Sequence, residues 1–153
     1  MIPAGLSTAL VALSTLATLL YIGLGFLPRP SRAAAVWSLA FCGAMGSSYV
    51  WAAADLADSA VWRAAASGAM VSMIALVWMG LCVRRGAEGW RWALVIGFIV
   101  GAPTVLALLA ETDAFLTAVR AVFVASGAFS ALTIAELSRL GPLLRDEILP
   151  LAL

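Results

Sequence analysis

Apolar residues fill this chain in five long stretches, at about 4–27, 33–54, 60–83, 91–110 and 114–137, and the polar breaks between them are short. Each stretch approaches or exceeds the ~20 residues that a helix needs to cross the ~30 Å hydrocarbon core of a bilayer. The pattern predicts an all-α polytopic transmembrane helical bundle of about five spans with short loops. Local signals agree with these limits. Pro28 and Pro30 forbid a continuous helix out of the first span, Ser31 is placed to cap the second, and Asp58 or Ser59 can cap the third. Trp90 and Trp92 flank Arg91 where a headgroup belt would lie, and Glu111-Thr112-Asp113 turns the chain into the fifth span.

The breaks alternate in charge. Arg29 and Arg32, then Arg84, Arg85 and Arg91, then Arg139 and Arg145 occupy every second break, while Asp55 with Asp58 and Glu111 with Asp113 occupy the others. Arginine-bearing loops stay on the cytoplasmic side, so the pattern predicts a plasma-membrane protein with its N-terminus outside and its C-terminus inside. Gly141-Pro142 reads as a helix stop. The remaining tail, 141–153, reads as a short amphipathic segment on the membrane surface or as the start of a further helix.

Composition adds what periodicity alone does not. Hydrophobic residues make up 64% of the chain, charged residues 11%, and the mean hydropathy is +1.07, values that exclude an ordinary water-soluble domain. The arginines sit at helix ends and form no basic face, so no nucleic-acid partner is expected. The chain has no His, Lys, Asn or Gln. That bias follows from GC-rich coding without any selection for chemistry, yet it removes mechanisms. Schiff-base cofactors, a P-loop lysine, a Ser-His-Asp triad and imidazole metal ligands are all ruled out. A metal site would need carboxylates and the two cysteines. Cys42 lies well inside its span and Cys82 at the end of another, too far apart in depth to pair. No cofactor and no recognisable catalytic constellation are expected.

In a bilayer, helices associate through small residues and interhelical hydroxyls. Ser7, Ser14, Thr18, Tyr21 and Gly25 share one side of the first span, and Ser38, Cys42, Gly46 and Tyr49 share one side of the second. Gly97 and Gly101 form a GxxxG face on the fourth span, with Pro103 just beyond as a hinge or bend. These residues are read first as packing sites. The functional candidate is a polar cluster at the outer ends, Asp55, Asp58, Arg63, Glu111, Asp113 and Arg120. The two arginines enter the membrane from the side that holds the four acids, and desolvation favours pairing between them. Glu136 and Arg139, three residues apart, read as a local ion pair at the inner end.

The arginine pair Arg84-Arg85, the Trp90-Arg91-Trp92 segment and the helix ending Ala135-Glu136-Leu137-Ser138-Arg139-Leu140 give a layout that resembles the membrane-embedded N-terminal half of actinobacterial diguanylate-cyclase-type sensor proteins. In that family such spans precede a cytoplasmic catalytic domain with a Gly-Gly-Asp-Glu-Phe signature. This sequence contains no such segment, so no cyclase activity carries over. The resemblance implies a sensory input role, with the signal leaving through the inner end of the last helix toward an output domain beyond the C-terminus. Expected partners are the lipid bilayer and a second copy or other membrane helices. The competing reading is a small oligomeric transporter or channel with a polar entrance on the outer side.

Overall fold

The computed structural model describes residues 4–28 and 30–148, with the side chains of 8–139 apart from positions 25 and 29. Arg29 and the Pro150-Leu151-Ala152-Leu153 end therefore lie outside the described residues, as do the side chains of Ser7 and Arg145. Among the described residues six α-helices follow one another: α1 (Ala4–Leu20), α2 (Arg32–Leu56), α3 (Ala60–Ser72), α4 (Ile74–Arg84), α5 (Arg91–Leu109) and α6 (Phe115–Ile148). The segments Arg32–Leu56, Ala60–Arg84, Arg91–Leu109 and Phe115–Arg139 are long and apolar enough to cross a membrane, and Thr8–Leu24 is a shorter apolar helix. The fold is an all-α bundle of about five spans.

The sequence explains where most helices begin and end. Ser31 accepts a hydrogen bond from the Ala34 amide at 3.1 Å and starts α2. At the far end Asp58 takes a left-handed conformation, φ 50°, and the Ser59 amide donates to the Ala54 carbonyl at 3.0 Å. That is a Schellman closure with Asp in the place usually held by Gly. Ser59 then caps α3, so α2 and α3 are folded back on one another by three residues. Gly86, with φ 69°, closes α4 in the same way, the Ala87 amide donating to the Cys82 carbonyl at 2.9 Å.

Three elements differ from the sequence expectation. The first span changes to π-helix over Tyr21–Phe26, with the Leu27 amide bonded to the Ile22 carbonyl five residues back. Tyr21 stacks there on Phe41 of α2 at 4.7 Å between ring centroids. The third span is broken at Met73 into α3 and α4. Ser72 is fully buried and its hydroxyl donates to the Ala69 carbonyl at 2.8 Å. A serine bonding back onto its own helix competes with the ladder and bends it. The last helix does not stop at Gly141-Pro142 and continues to Ile148. A proline removes one ladder bond, to the carbonyl four residues back, and a helix leaving the bilayer can satisfy that carbonyl with water.

Helix α2 is the hub, packing against α1, α3 and α4, while α3 packs on α5 and α4 on α6. The interior divides into two clusters. One, toward the arginine-bearing ends, holds Ala75, Leu76, Trp78, Met79, Cys82 and Val95, with Phe98 and Phe129 against it. The other, toward the acidic ends, holds Ala64, Ala102, Leu106, Ala118 and Val122. Glycines set the closest approaches. A Cβ at Gly68 would stand 2.8 Å from Pro103 Cα and 2.9 Å from the Ala102 carbonyl, and one at Gly80 would overlap the Trp37 indole. Trp37 is held by its Nε1, which donates to the Val77 carbonyl at 2.9 Å. Hydroxyls join α1 to α2: Ser14 meets Ser48 at 2.7 Å, Thr15 meets Tyr49 at 3.1 Å, and Thr18 donates to the Phe41 carbonyl at 3.1 Å.

Candidate functional site

Of the six residues of the expected outer cluster, ion pairing joins three. Arg63 Nη1 lies 3.1 Å from Asp58 Oδ1 and 3.6 Å from Asp55 Oδ1. The left-handed turn at Asp58 carries its carboxylate back toward the first turn of α3, where Arg63 leaves the helix. Glu111, Asp113 and Arg120 are exposed and form no ion pair among the described residues. No ion pair connects them to the Arg63 group, so the six residues form two separate charged groups.

The packing candidates separate in the same way. A Cβ at Gly97 or Gly101 would meet nothing within 4 Å, so no helix of this chain rests on the GxxxG face. Helix α5 turns Val95, Ala102 and Leu106 inward instead, and its close approach is at Ala102 and Pro103 against Gly68. The GxxxG spacing on α5 marks its outer surface. Gly68 carries no spacing signal of its own and was not among the sequence candidates.

Gly46 and Pro103 both line an open groove of about 390 Å³ between α2, α3 and α5. From α2 it takes Gly43, Gly46, Ser47 and Val50, and α3 contributes Trp62 and the small side chains Ala65, Ala66 and Ala69. No charged residue lines it. The Ser47 hydroxyl is already used, donating to the Gly43 carbonyl at 2.8 Å. Trp62 stands within a turn of the cap of α3 and Ala69 lies about 10 Å deeper at 1.5 Å per residue, so the groove runs from the acidic end toward mid-span. The Met73 sulfur occupies the space that a Gly43 side chain would take. One wall residue of the groove is thus the seat of the residue at which the third span breaks.

The buried charge of the molecule is at the other end. Glu136 of α6 is 6% exposed, and its Oε2 accepts from Arg85 Nη1 at the end of α4. Arg139 Nη1 lies 3.6 Å from the other carboxylate oxygen. The pair expected along α6 is therefore the lesser part of a bridge between α4 and α6. Its sequence signal was the coincidence of Arg85 and Glu136 at the same end of adjacent spans. Nearby, Arg32 Nη2 meets Glu88 Oε2 at 3.1 Å, joining the two arginine-bearing loops, and Arg91 lies 5.7 Å from the Trp90 ring centroid. Cys42 and Cys82 are both free thiols. Among the described residues no group of three or more Cys, Asp or Glu side chains is arranged to hold a metal ion.

These features define a class: a polytopic helical membrane protein with an apolar groove at one end of the bundle and interhelical ion pairs at the other. No family model, no curated protein and no solved structure matches the chain.

Proposed function

We propose that this chain is a membrane-embedded sensory or regulatory input module, in which an apolar or amphiphilic molecule from the bilayer occupies the groove between α2, α3 and α5. The response leaves through the arginine-bearing end of α6, which the positive-inside rule puts in the cytoplasm. The observation that carries this reading is the seating of Met73 on Gly43. A groove occupant pressing on that wall bears directly on the break between α3 and α4, and α4 is bridged to α6 by Arg85 and Glu136. A broken span is a structural element that can take two arrangements, which is what a coupling between two ends of a bundle requires. The resemblance to cyclase-type sensors supplies the same direction of travel, with an output domain as the receiver.

A distance measurement tests it. With Cys42 and Cys82 replaced by Ala, spin labels at Trp90→Cys and Ser138→Cys report on α5 and α6 at the arginine-bearing end. Ala69→Phe fills the groove much as an acyl chain would. The reading requires that this substitution shift the label-to-label distance distribution in proteoliposomes. An unchanged distribution refutes it. Solute flux through the same vesicles that falls with Arg120→Ala or Glu111→Ala would support the transport reading in its place.

A further inference from the structure

We infer that the outward face of α6 is the contact between two copies of this chain, closed at its acidic end by Arg120 of each copy pairing with Glu111 or Asp113 of the other. The starting observation is charge. Arg120 lies about one and a half turns inside a membrane-spanning helix, exposed on the surface of the bundle and without an ion pair among the described residues. An arginine in the hydrocarbon costs a few kcal/mol on insertion scales unless it finds a partner or a wet surface. Two carboxylates, Glu111 and Asp113, stand exposed and likewise unpaired in the loop that precedes the same helix. The unpaired charges at this corner are thus of both signs, and an isologous pairing satisfies each with its complement.

The helix face has the matching periodicity. Arg120, Val124, Gly127, Ala131, Ile134 and Ser138 follow one another at intervals of four and three, and all six are exposed. That is the seam of a left-handed two-helix packing. The opposite stripe, Ala118, Val122, Thr133 and Glu136, is the buried one, so the seam cannot be the face that packs within the chain. A Cβ at Gly127 would meet nothing within 4 Å, which leaves room for a second backbone to approach. Both copies insert with the same topology, so a twofold axis along the bilayer normal brings the two α6 helices together in parallel. It sets Arg120 and the two carboxylates of both copies at one end. Arg120 reaches toward the loop of the partner subunit by extending its side chain along the helix to the membrane surface.

Cysteine scanning and charge reversal in proteoliposomes test the inference. In a background with Cys42 and Cys82 replaced by Ala, Val124→Cys, Gly127→Cys and Ala131→Cys should form disulfide-linked dimers on mild oxidation, whereas Phe123→Cys and Gly97→Cys should not. Arg120→Glu removes both symmetry-related pairs and should raise the apparent dissociation constant of the dimer at fixed lipid ratio by about tenfold, ~1.4 kcal/mol for the two together. Combining it with Glu111→Arg and Asp113→Arg should restore dimers. Cross-linking through Gly97→Cys with none along the α6 seam would overturn the inference in favour of α5. A dimer indifferent to Arg120→Glu would also overturn it, and so would a monomer whose Arg120 responds only to anionic lipid, since the headgroups would then be its partner.

Discussion

The bridge between Arg85 and Glu136 makes an asymmetric prediction. The Glu136 side chain is 8% exposed, that of Arg85 34%, and that of Arg139 66%. Removing one member of a buried pair costs about 3–5 kcal/mol when the survivor stays buried and unpaired. Arg85→Ala leaves the buried carboxylate with Arg139 alone, 3.6 Å away and mostly exposed. A pair of that kind along one helix is worth only about 0.2–0.5 kcal/mol. The expected loss is therefore near the lower end of the range, about 3 kcal/mol. Glu136→Gln keeps the shape and an acceptor oxygen and strands only a guanidinium that can turn to lipid phosphates. Its expected cost is about 1 kcal/mol, one ordinary hydrogen bond.

Equilibrium unfolding in mixed detergent micelles, followed by far-ultraviolet circular dichroism, measures both. The double variant completes a thermodynamic cycle, and residues in direct contact should show a coupling energy of about 1–2 kcal/mol. The order of the two single variants is as diagnostic as their size. A Glu136→Gln loss larger than that of Arg85→Ala, or a coupling indistinguishable from zero, would refute the account of a buried carboxylate held chiefly from α4.

Two further predictions use the same unfolding assay. Gly68→Ala places a methyl against the backbone of Ala102 and Pro103 and should destabilise by about 1–3 kcal/mol, whereas Gly46→Ala, with nothing within 4 Å, should be neutral or slightly stabilising; equal effects would remove the close approach of α3 to α5. Among the described residues the buried Trp78 Nε1 has no hydrogen-bond partner, so Trp78→Phe, which keeps a ring against Phe129, should cost less than Trp37→Phe, which gives up a bond to the Val77 carbonyl worth about 1 kcal/mol; the reverse order would refute the unpaired state of the Trp78 indole.

The span limits were legible because a bilayer imposes one length and one polarity on every helix. Ser31, Ser59 and the Arg84-Arg85-Gly86 ending could be placed from residue type alone. The break at Met73 could not. Ser72 is one of several serines in apolar helices, and it shares its full burial and its bond to a carbonyl three residues back with Ser48, around which α2 stays unbroken. The two groups of outer charge illustrate the same limit. Sequence places Arg63 in the first turn of its span and Arg120 about one and a half turns into its own, and only Arg63 follows a tight turn that returns two carboxylates to it. Arg120 follows a longer turn, Ala110 to Ala114, whose acids form no ion pair with it. Glu136 was visible as a charge near a helix end, yet its burial depends on the position of α4, which no local pattern encodes.

The two ends of the bundle are held by different contacts, and that difference bears on the proposed direction of signalling. At the arginine-bearing end, ion pairs cross between elements, Arg32 to Glu88 and Arg85 to Glu136, and the interior contains Trp78, Met79 and Leu76 with two phenylalanines. At the acidic end Arg63 of α3 pairs with Asp55 at the end of α2 and with Asp58 in the turn between them, and the interior is three alanines with Leu106 and Val122. There α3 is held to α5 by the close backbone approach at Gly68 and to α2 by the Arg63–Asp55 pair, contacts made of small groups in place of large interlocked side chains. Large interlocked side chains and a buried carboxylate respond as a unit. On the proposed function, a displacement that begins in the groove would pass the break at Met73 and act on α4 and α6 together through the Glu136 bridge.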